Sequence, residues 1–221
     1  MKPKTQQKHK SRILLGNCLD MLRQYPDKSI DLILTDPPYN AKNIGRHEKK
    51  YSLGLMSLPE EQYQKFCNDW FKEASRVAKT VVFTPGITNI TRYPQPDWVI
   101  CWHKPAAYGF NRFGGFNAWE PVFVYGKIAK GKRLPQDYIM THSLFFSKGP
   151  EINHPCPKPP VLMKFLIDKF CPENGVVLDP FNGSGTTTVA AKHLGRDFIG
   201  IDINPEYNQI AEERLRQEVL L

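Results

Sequence analysis

Residues 176–191, VVLDPFNGSGTTTVAA, contain the pattern that decides the fold. The run VVLD is short and apolar, which is typical of a buried strand, and it ends in the carboxylate of Asp179. Gly183 and Gly185 follow in a loop, and a helix is predicted to begin at about Thr186. Glycines let a backbone approach a ligand closely, and a helix start offers unpaired N–H groups. The pattern therefore predicts a ligand site at the carboxyl end of a strand.

The chemistry of this loop favours a nucleoside over a dinucleotide. Dinucleotide enzymes use G-x-G-x-x-G, whose third glycine permits close packing beneath a pyrophosphate, but Thr188 stands at that position here. The next strand ends at Asp202, whose carboxylate can accept hydrogen bonds from ribose hydroxyls. A lone G-x-G is equally consistent with an ordinary turn, whereas the ordered set of strand, acid, glycine loop, helix, strand and acid is more specific. S-adenosylmethionine, an adenosine that carries a sulfonium and an amino acid, fits such a site.

Short apolar runs recur along the chain and alternate with helical patterns. Seven strands are predicted, at residues 12–16, 31–35, 80–84, 97–103, 121–126, 175–179 and 197–202. Helices between successive strands favour an α/β fold with a doubly wound, mainly parallel seven-stranded sheet in three αβα layers. A proline-rich interval at about 127–159 is predicted to be irregular. We expect a single domain over 12–221, preceded by a basic flexible arm at 1–11.

The charge of the chain indicates a polyanionic partner. Its 221 residues carry a formal net charge of +8, and the sequence pI is about 9.2. Basic residues crowd the first twelve positions, the stretch 42–50 and the stretch 127–133. Three predicted loops, at about 40–57, 105–118 and 127–153, are candidate elements for contacting such a partner.

No apolar run reaches the roughly 18 residues needed to span a bilayer. The basic N-terminus is followed by too short an apolar stretch for a signal peptide, so a cytoplasmic location is predicted. The five cysteines are odd in number and contain no C-x-x-C pair, which argues against a disulfide framework and a zinc ribbon. His154 and Cys156 have no second ligand pair at a useful spacing, so no metal site is predicted.

A second informative stretch is DLILTDPPYNAKN, residues 31–43. Prolines cannot continue a central strand, so the strand is predicted to stop at Asp36. Asp36 then lies on a stiff turn at the carboxyl end of a strand, which is where open α/β sheets bind ligands. The rival interpretation is structural: Asp36 could cap a turn, and Tyr39 could pack in the core.

With both stretches in view, the chain resembles the S-adenosylmethionine-dependent amino-group DNA methyltransferases, in the order that puts the DPPY motif first (the beta class). GNCLDMLRQYPDKSIDLILTDPPYN, at 16–40, resembles the opening block of the adenine-N6 and cytosine-N4 family. HPCPKPPVLMKFLI, from residue 154, and VVLDPFNGSGTTTVAAKHLGRDFIGIDINPEYNQIAEER, from 176, resemble its closing block. DWVICWHK and EPVFVYGK are similar to its middle strands, so the resemblance extends from Arg12 to Arg214.

The resemblance implies a Rossmann-like methyltransferase fold, a role in DNA methylation such as restriction–modification, and a set of site residues. The catalytic positions would be Asp36, Pro37, Pro38 and Tyr39. The cofactor positions would be Asp179, Phe181, Gly183, Gly185, Thr186 and Asp202, with Asn17 and Lys158 as outlying contacts. Two departures stand out. Many relatives have an acid where Asn17 stands, and the sequence-reading segment of the family is very short here, at roughly 127–153.

The implied chemistry is methyl transfer to an exocyclic amine. The lone pair of adenine N6 is delocalised into the ring, so an enzyme has to hold the nitrogen and favour its pyramidal form. Asp36 can accept one amino hydrogen and the Pro37 carbonyl the other, while Tyr39 offers a face for stacking. Transfer is then a direct displacement at the sulfonium methyl, on a base flipped out of the duplex.

Several alternatives stay open. The Asp of DPPY favours adenine, because relatives that act on cytosine N4 more often have Ser there. Structured RNA is a third substrate class, and a non-catalytic nucleic-acid-binding protein on the same scaffold is a reading of a different kind. The family often forms dimers, which makes a homodimer one candidate arrangement. The aromatic residues of 102–119 are assigned neither to a DNA channel nor to loop packing, and His103 is expected to be a strand-end residue rather than a base.

Overall fold

A computed structural model describes residues 11–40, 58–104, 113, 115, 117–141 and 158–217. The strands are β1 (Arg12–Leu15), β2 (Ile30–Thr35), β3 (Ala78–Phe83), β4 (Trp98–His103), β5 (Trp119–Tyr125), β6 (Tyr138–Met140), β7 (Val176–Asp179) and β8 (Asp197–Asp202). The helices are α1 (Cys18–Leu22), α2 (Glu60–Val77), α3 (Pro160–Phe170), α4 (Thr186–His193) and α5 (Pro205–Gln217), with a 3₁₀ helix at Ile87–Arg92. Residues 1–10 of the predicted arm at 1–11, most of the loops 40–57 and 105–118, and the segment 142–157 with His154 and Cys156 lie outside the described residues.

The strands form one sheet in the order β1-β8-β7-β2-β3-β5-β4-β6. β5 is antiparallel to β3 and β4, and every other neighbouring pair is parallel. The predicted doubly wound, mainly parallel α/β fold is thus confirmed, but over the described residues the sheet has eight strands where seven were predicted. The additional strand, β6, pairs with β4 inside the interval predicted to be irregular. Three residues are too few to show a strand periodicity in the sequence.

Two apolar layers cover the sheet, one on each face. Trp70 of α2 lies in the first layer with Ile33 of β2. Leu166 of α3 lies in the second with Leu32 and Leu34 of the same strand. β2 is therefore buried on both faces and hydrogen-bonded to a strand on each side, as expected for a central parallel strand that reads as a continuous apolar run. In the described part of the chain, no helix is both long and apolar enough to cross a membrane.

The sheet order brings the ends of five neighbouring strands to one edge. β1, β8, β7, β2 and β3 are adjacent and parallel, so the residues that follow them emerge side by side. β5 runs the other way, and its first residue, Trp119, pairs with His103, the last residue of β4. The start of β5 consequently joins the same edge. We call this edge the carboxyl edge, and all the predicted site residues but Lys158 belong to its strand ends and turns.

The opposite edge holds the start of the segment predicted at 127–153 to contact DNA. Residues 126–137 connect the end of β5 to β6 there, and Arg133 lines a groove of about 650 Å³ with Trp98 and Phe170. Lys132 of the same segment is paired with Asp168 of α3 at 2.6 Å. Residues 127–137 therefore lie at the end of the sheet opposite Asp36.

Candidate active site

Asp36 lies at the centre of a hydrogen-bonded cluster on the carboxyl edge. Its Oδ1 accepts hydrogen bonds from the Tyr39 hydroxyl and, at 2.5 Å, from the hydroxyl of Thr84, which directly follows β3. Its Oδ2 accepts from the Lys158 ammonium at 2.7 Å. Three donors from three parts of the chain thus fix the orientation of this carboxylate. Such a fixed, charge-assisted acceptor is suited to holding an amine N–H.

Tyr39 lies against Asp36 in this structure. Burial raises the pKa of the Tyr39 phenol well above its ordinary value, and the Asp36 charge raises it further, so the hydroxyl stays protonated and donates. The ring fits closely against Gly86, where an added Cβ would come within 2.8 Å of Cε1. Lys158 Nζ is 5.4 Å from the ring centroid. Stacking of Tyr39 on a base remains a prediction.

The second proline of the turn, Pro38, is held by a residue of α2. The hydroxyl of Tyr63, a buried residue of α2, donates to the Pro38 carbonyl at 2.9 Å. Pro37 is itself buried. Because proline also fixes its own φ, the turn that carries Asp36 has little conformational freedom. That the turn is organised before a substrate binds remains a prediction from the sequence.

Asp179 lies next to this turn and is almost fully buried, with 3% of its surface exposed. Its carboxylate accepts from the Thr35 hydroxyl at 2.6 Å and from the Phe181 N–H at 3.0 Å. Thr35 immediately precedes Asp36, so one hydrogen bond connects the glycine-loop acid to the DPPY turn. Burial raises the pKa of Asp179 to about 6, against the hydrogen bonds that stabilise its ionised form.

We expect Asp179→Asn to stabilise the ligand-free protein more at pH 8 than at pH 5. The folded protein holds the proton of Asp179 up to about pH 6, whereas the unfolded chain releases it near 3.8. Protonation thus favours the folded state, and stability falls as pH rises between these values, by about 3 kcal/mol in total. The amide variant escapes this loss. Thermal melting of both proteins across pH 4–8 tests it.

Asp168→Asn is the control for that series. The Lys132 hydrogen bond lowers the pKa of Asp168, so this carboxylate stabilises the fold above its unfolded pKa and loses that effect as the pH falls. The amide variant should accordingly be less stable than wild type at neutral pH. A melting difference for Asp179→Asn that does not change with pH would contradict the proposed burial penalty.

The glycine loop has the geometry predicted for close backbone approach. Gly183 has a φ of +50° and donates its N–H to Asp202 Oδ2 at 2.8 Å. Gly185 is left-handed, with a φ of +83°, and directly precedes α4, which begins at Thr186 as predicted. Thr188, which replaces the third glycine of dinucleotide enzymes, uses its hydroxyl within the loop by donating to Asn182 Oδ1 at 3.1 Å.

The remaining predicted cofactor residues surround this loop. Asp202 ends β8, and its Oδ1 accepts from the Asn204 N–H at 2.8 Å; burial raises the pKa of its carboxyl. Asn17 follows β1, the neighbour of β8, and its Oδ1 accepts from the Leu19 N–H at 2.9 Å as the N-cap of α1. The ring of Phe181 packs edge-on against Trp70 of the core, with centroids 5.6 Å apart. These residues share one edge, but their roles as cofactor contacts stay predictions.

Lys158 is placed differently from those residues. It precedes α3, and its ammonium donates a hydrogen bond to Asp36. Sequence reasoning missed three further residues near it, Thr84, Glu120 and Lys104. Thr84 had a usable signal in the sequence. Like Asp36, it stands at the end of an apolar run and is followed by a proline. Glu120 and Lys104 belong to the blocks EPVFVYGK and DWVICWHK, but the sequence assigned them no role at the site, because they meet there only through the antiparallel pairing of β4 with β5.

His103 ends β4 and its Nδ1 is 2.6 Å from the Tyr138 hydroxyl, away from Asp36, in keeping with a strand-end residue. Among the described residues, no group of three or more His, Cys, Asp or Glu side chains could hold a metal ion.

Sequence comparison relates the chain to known proteins. The family model N6_N4_Mtase, described as a DNA methylase, matches residues 95–213. The chain is 32% identical over 243 aligned positions to the type II methyltransferase M.HpaI of Haemophilus parainfluenzae, covering 94% of this chain and 74% of that protein.

Solved structures share the fold. The PvuII DNA methyltransferase, which is cytosine-N4-specific, matches with a TM-score of 0.70 and 16% identity, over 94% of this chain and 86% of its own. The complex of M1.HpyAVI with SAM matches with a TM-score of 0.68 and 22% identity, over 92% of this chain and 98% of its own. At these identities the likeness is one of fold.

Proposed function

Because the chain belongs to the N6_N4_Mtase family of DNA methylases, we propose that it transfers the methyl group of S-adenosylmethionine to the exocyclic N6 of adenine in double-stranded DNA. The single observation that carries the proposal is the shared edge of the two predicted half-sites. Asp36 and the glycine loop are linked through the Thr35–Asp179 hydrogen bond. A methyl donor on the loop and an amine on Asp36 would therefore face each other without crossing the sheet.

The residues of the loop suit S-adenosylmethionine better than a diphosphate. Burial raises the pKa of both Asp179 and Asp202, so a cationic ligand beside them would offset an unfavourable buried charge. A pyrophosphate would add negative charge to the same place. Asp179, Phe181, Gly183, Gly185, Thr186 and Asp202 would hold the cofactor, with Asn17 and Lys158 at its periphery. Once bound, it would supply a methyl group on an electrophilic sulfonium.

The DPPY turn would hold the acceptor nitrogen. Asp36 and the Pro37 carbonyl would each accept one amino hydrogen, which favours a pyramidal nitrogen with an available lone pair. Positive charge develops on that nitrogen during transfer, and the Asp36 carboxylate would stabilise it. No covalent enzyme intermediate is needed. The base has to leave the duplex first, which costs a few kcal/mol, roughly the price of unstacking and unpairing.

Cytosine N4 is the second candidate acceptor. It presents the same kind of conjugated amine, and the structurally similar PvuII methyltransferase is cytosine-N4-specific. The aspartate in DPPY supports adenine, since relatives that act on cytosine more often have serine there. We accordingly propose adenine first. We further propose that the reaction takes place in the cytoplasm, on DNA attracted by the excess positive charge of the chain.

Mass spectrometry of nucleosides tests the proposal. Purified protein is incubated with isotope-labelled S-adenosylmethionine and either duplex DNA of mixed sequence or structured RNA, and the products are digested to nucleosides. We expect labelled N6-methyldeoxyadenosine from DNA. Labelled N4-methyldeoxycytidine would favour the second candidate, and label only in RNA would overturn the DNA assignment. Binding to DNA without any transfer would favour a non-catalytic protein on this scaffold.

A further inference from the structure

Glu120 lies beside the cluster around Asp36, although the sequence assigned it no role there. It is the second residue of β5 and pairs with Trp102 of β4. Because β5 is antiparallel to the strands around it, its start lies on the carboxyl edge with Asp36. Its side chain is 21% exposed, which is low for a glutamate.

The two carboxylate oxygens of Glu120 differ in their surroundings. Oε1 accepts a charge-assisted hydrogen bond from Lys104. Oε2 is buried and has no hydrogen-bond partner among the described residues, and the Lys158 ammonium is 3.9 Å away from it. Burial alone would raise the pKa of Glu120, but Lys158 and Lys104 outweigh it and hold this pKa below its ordinary value. Glu120 is therefore an ionised group with one unused acceptor, and a buried unused acceptor is costly.

Lys158 lies between Glu120 and Asp36. Its side chain is 10% exposed, and its ammonium is hydrogen-bonded to Asp36 at 2.7 Å. Burial would lower the pKa of Lys158, but Asp36, Tyr39 and Glu120 raise it well above its ordinary value, so it stays charged. The rings of Tyr39 and Trp102, with centroids 5.4 and 5.8 Å from Nζ, confine it further. The Lys158 ammonium thus lies within 4 Å of two carboxylates, those of Asp36 and Glu120, and of these two it is hydrogen-bonded only to Asp36.

We infer that Glu120 is a positioning residue that acts as the second partner of Lys158. When the acceptor amine binds, the Lys158 ammonium leaves Asp36 and forms its hydrogen bond with Glu120 instead. This inference rests on the proposed methyl transfer. The acceptor nitrogen gains positive charge during transfer, and a lysine bonded to the same carboxylate would repel it. Lys158 Nζ and Glu120 Oε2 are 3.9 Å apart, so a short movement of Nζ would bring them into hydrogen-bond distance. This movement would satisfy the unused acceptor of Glu120 and leave the Asp36 carboxylate free to bind the substrate amine. No proton is transferred in this step.

Glu120→Gln removes the charge and keeps the shape. With saturating cofactor and duplex, we expect its single-turnover rate of methyl transfer to fall about 10- to 100-fold, as misplacement of a group at a reacting centre does. Its dissociation constants for S-adenosylhomocysteine and for duplex DNA, and its melting temperature, should stay near those of wild type. Glu120→Asp, which keeps the charge, should recover part of the rate.

Asp168→Asn is the matched control. Asp168 is also a carboxylate bonded to two lysines, Lys132 at 2.6 Å and Lys169 at 3.1 Å, but it lies on α3 away from Asp36. Its rate should equal that of wild type. If both amide variants lose rate equally, the effect belongs to general surface charge and the inference is wrong.

A double-mutant cycle with Lys158→Met identifies the route of the effect. If Glu120 acts through Lys158, the Glu120→Gln change should cost little further rate in the Lys158→Met background. Losses that multiply would show that Glu120 acts independently and would overturn the inference, as would a wild-type rate for Glu120→Gln alone. A wild-type protein that methylates no DNA would instead refute the proposed function itself, so the two failures are distinguishable.

Discussion

Asp36→Ala is expected to lower the single-turnover rate of methyl transfer by about 100- to 1,000-fold, the usual loss when a fixed electrostatic group at a reacting centre is removed. The carboxylate is oriented by Thr84, Tyr39 and Lys158, and the alanine variant leaves all three without their shared acceptor. The developing charge on the amine then lacks its counter-charge. Rapid-quench measurement with saturating labelled S-adenosylmethionine and a target duplex gives the rate.

Asp97→Ala is the control for this experiment. Asp97 also flanks a strand and bonds the backbone, accepting from the Gly126 N–H at 2.7 Å, but it lies on the opposite edge of the sheet. Its rate should match that of wild type. Transfer by Asp36→Ala at the wild-type rate would remove Asp36 from the mechanism.

Gly185→Ala is expected to weaken S-adenosylmethionine binding by at least about tenfold, which corresponds to 1.4 kcal/mol. Gly185 has a φ of +83°, where a side chain costs about 1–2 kcal/mol. An added Cβ would also come within 2.7 Å of Ala211 Cβ in α5, which forces α5 or the loop to shift. Isothermal titration calorimetry measures the affinity.

Gly131→Ala separates the two costs of that change. Gly131 has a similar φ of +80°, but an added Cβ there has no heavy atom within 4 Å. It should lose a comparable amount of stability through backbone strain and keep its cofactor affinity. Unchanged affinity in Gly185→Ala would mean that the loop does not form the cofactor site.

The local parts of the fold could be predicted from the sequence because their signals are local. Each of these signals constrains only a few residues: the apolar run before Asp36, the prolines after it and the glycines before Thr186. They were enough to predict where these strands end and where α4 begins. β6 could not be predicted, because three residues gain their extended form from pairing with β4. Its strand character is a property of the neighbour rather than of its own sequence.

The site was predictable only in its halves. The sequence indicated an acid turn and a glycine loop, but the contacts between elements depend on the order of strands in the sheet. Lys158 reaches Asp36 across 122 residues of chain. Glu120 reaches the same edge because β5 runs against its neighbours, a direction that no short stretch of residues specifies. Chemistry that depends on strand direction therefore becomes visible only in three dimensions.

The burial of β2 has a consequence for how the protein fails on heating. Its amides are bonded to β7 and β3 and covered on both faces, so they can exchange with solvent only when the surrounding sheet opens. The turn at Asp36 is attached directly to this strand and cannot fray independently of it. On heating, activity and the folded structure should therefore be lost at the same temperature. We expect no temperature range in which the protein is inactive but still folded.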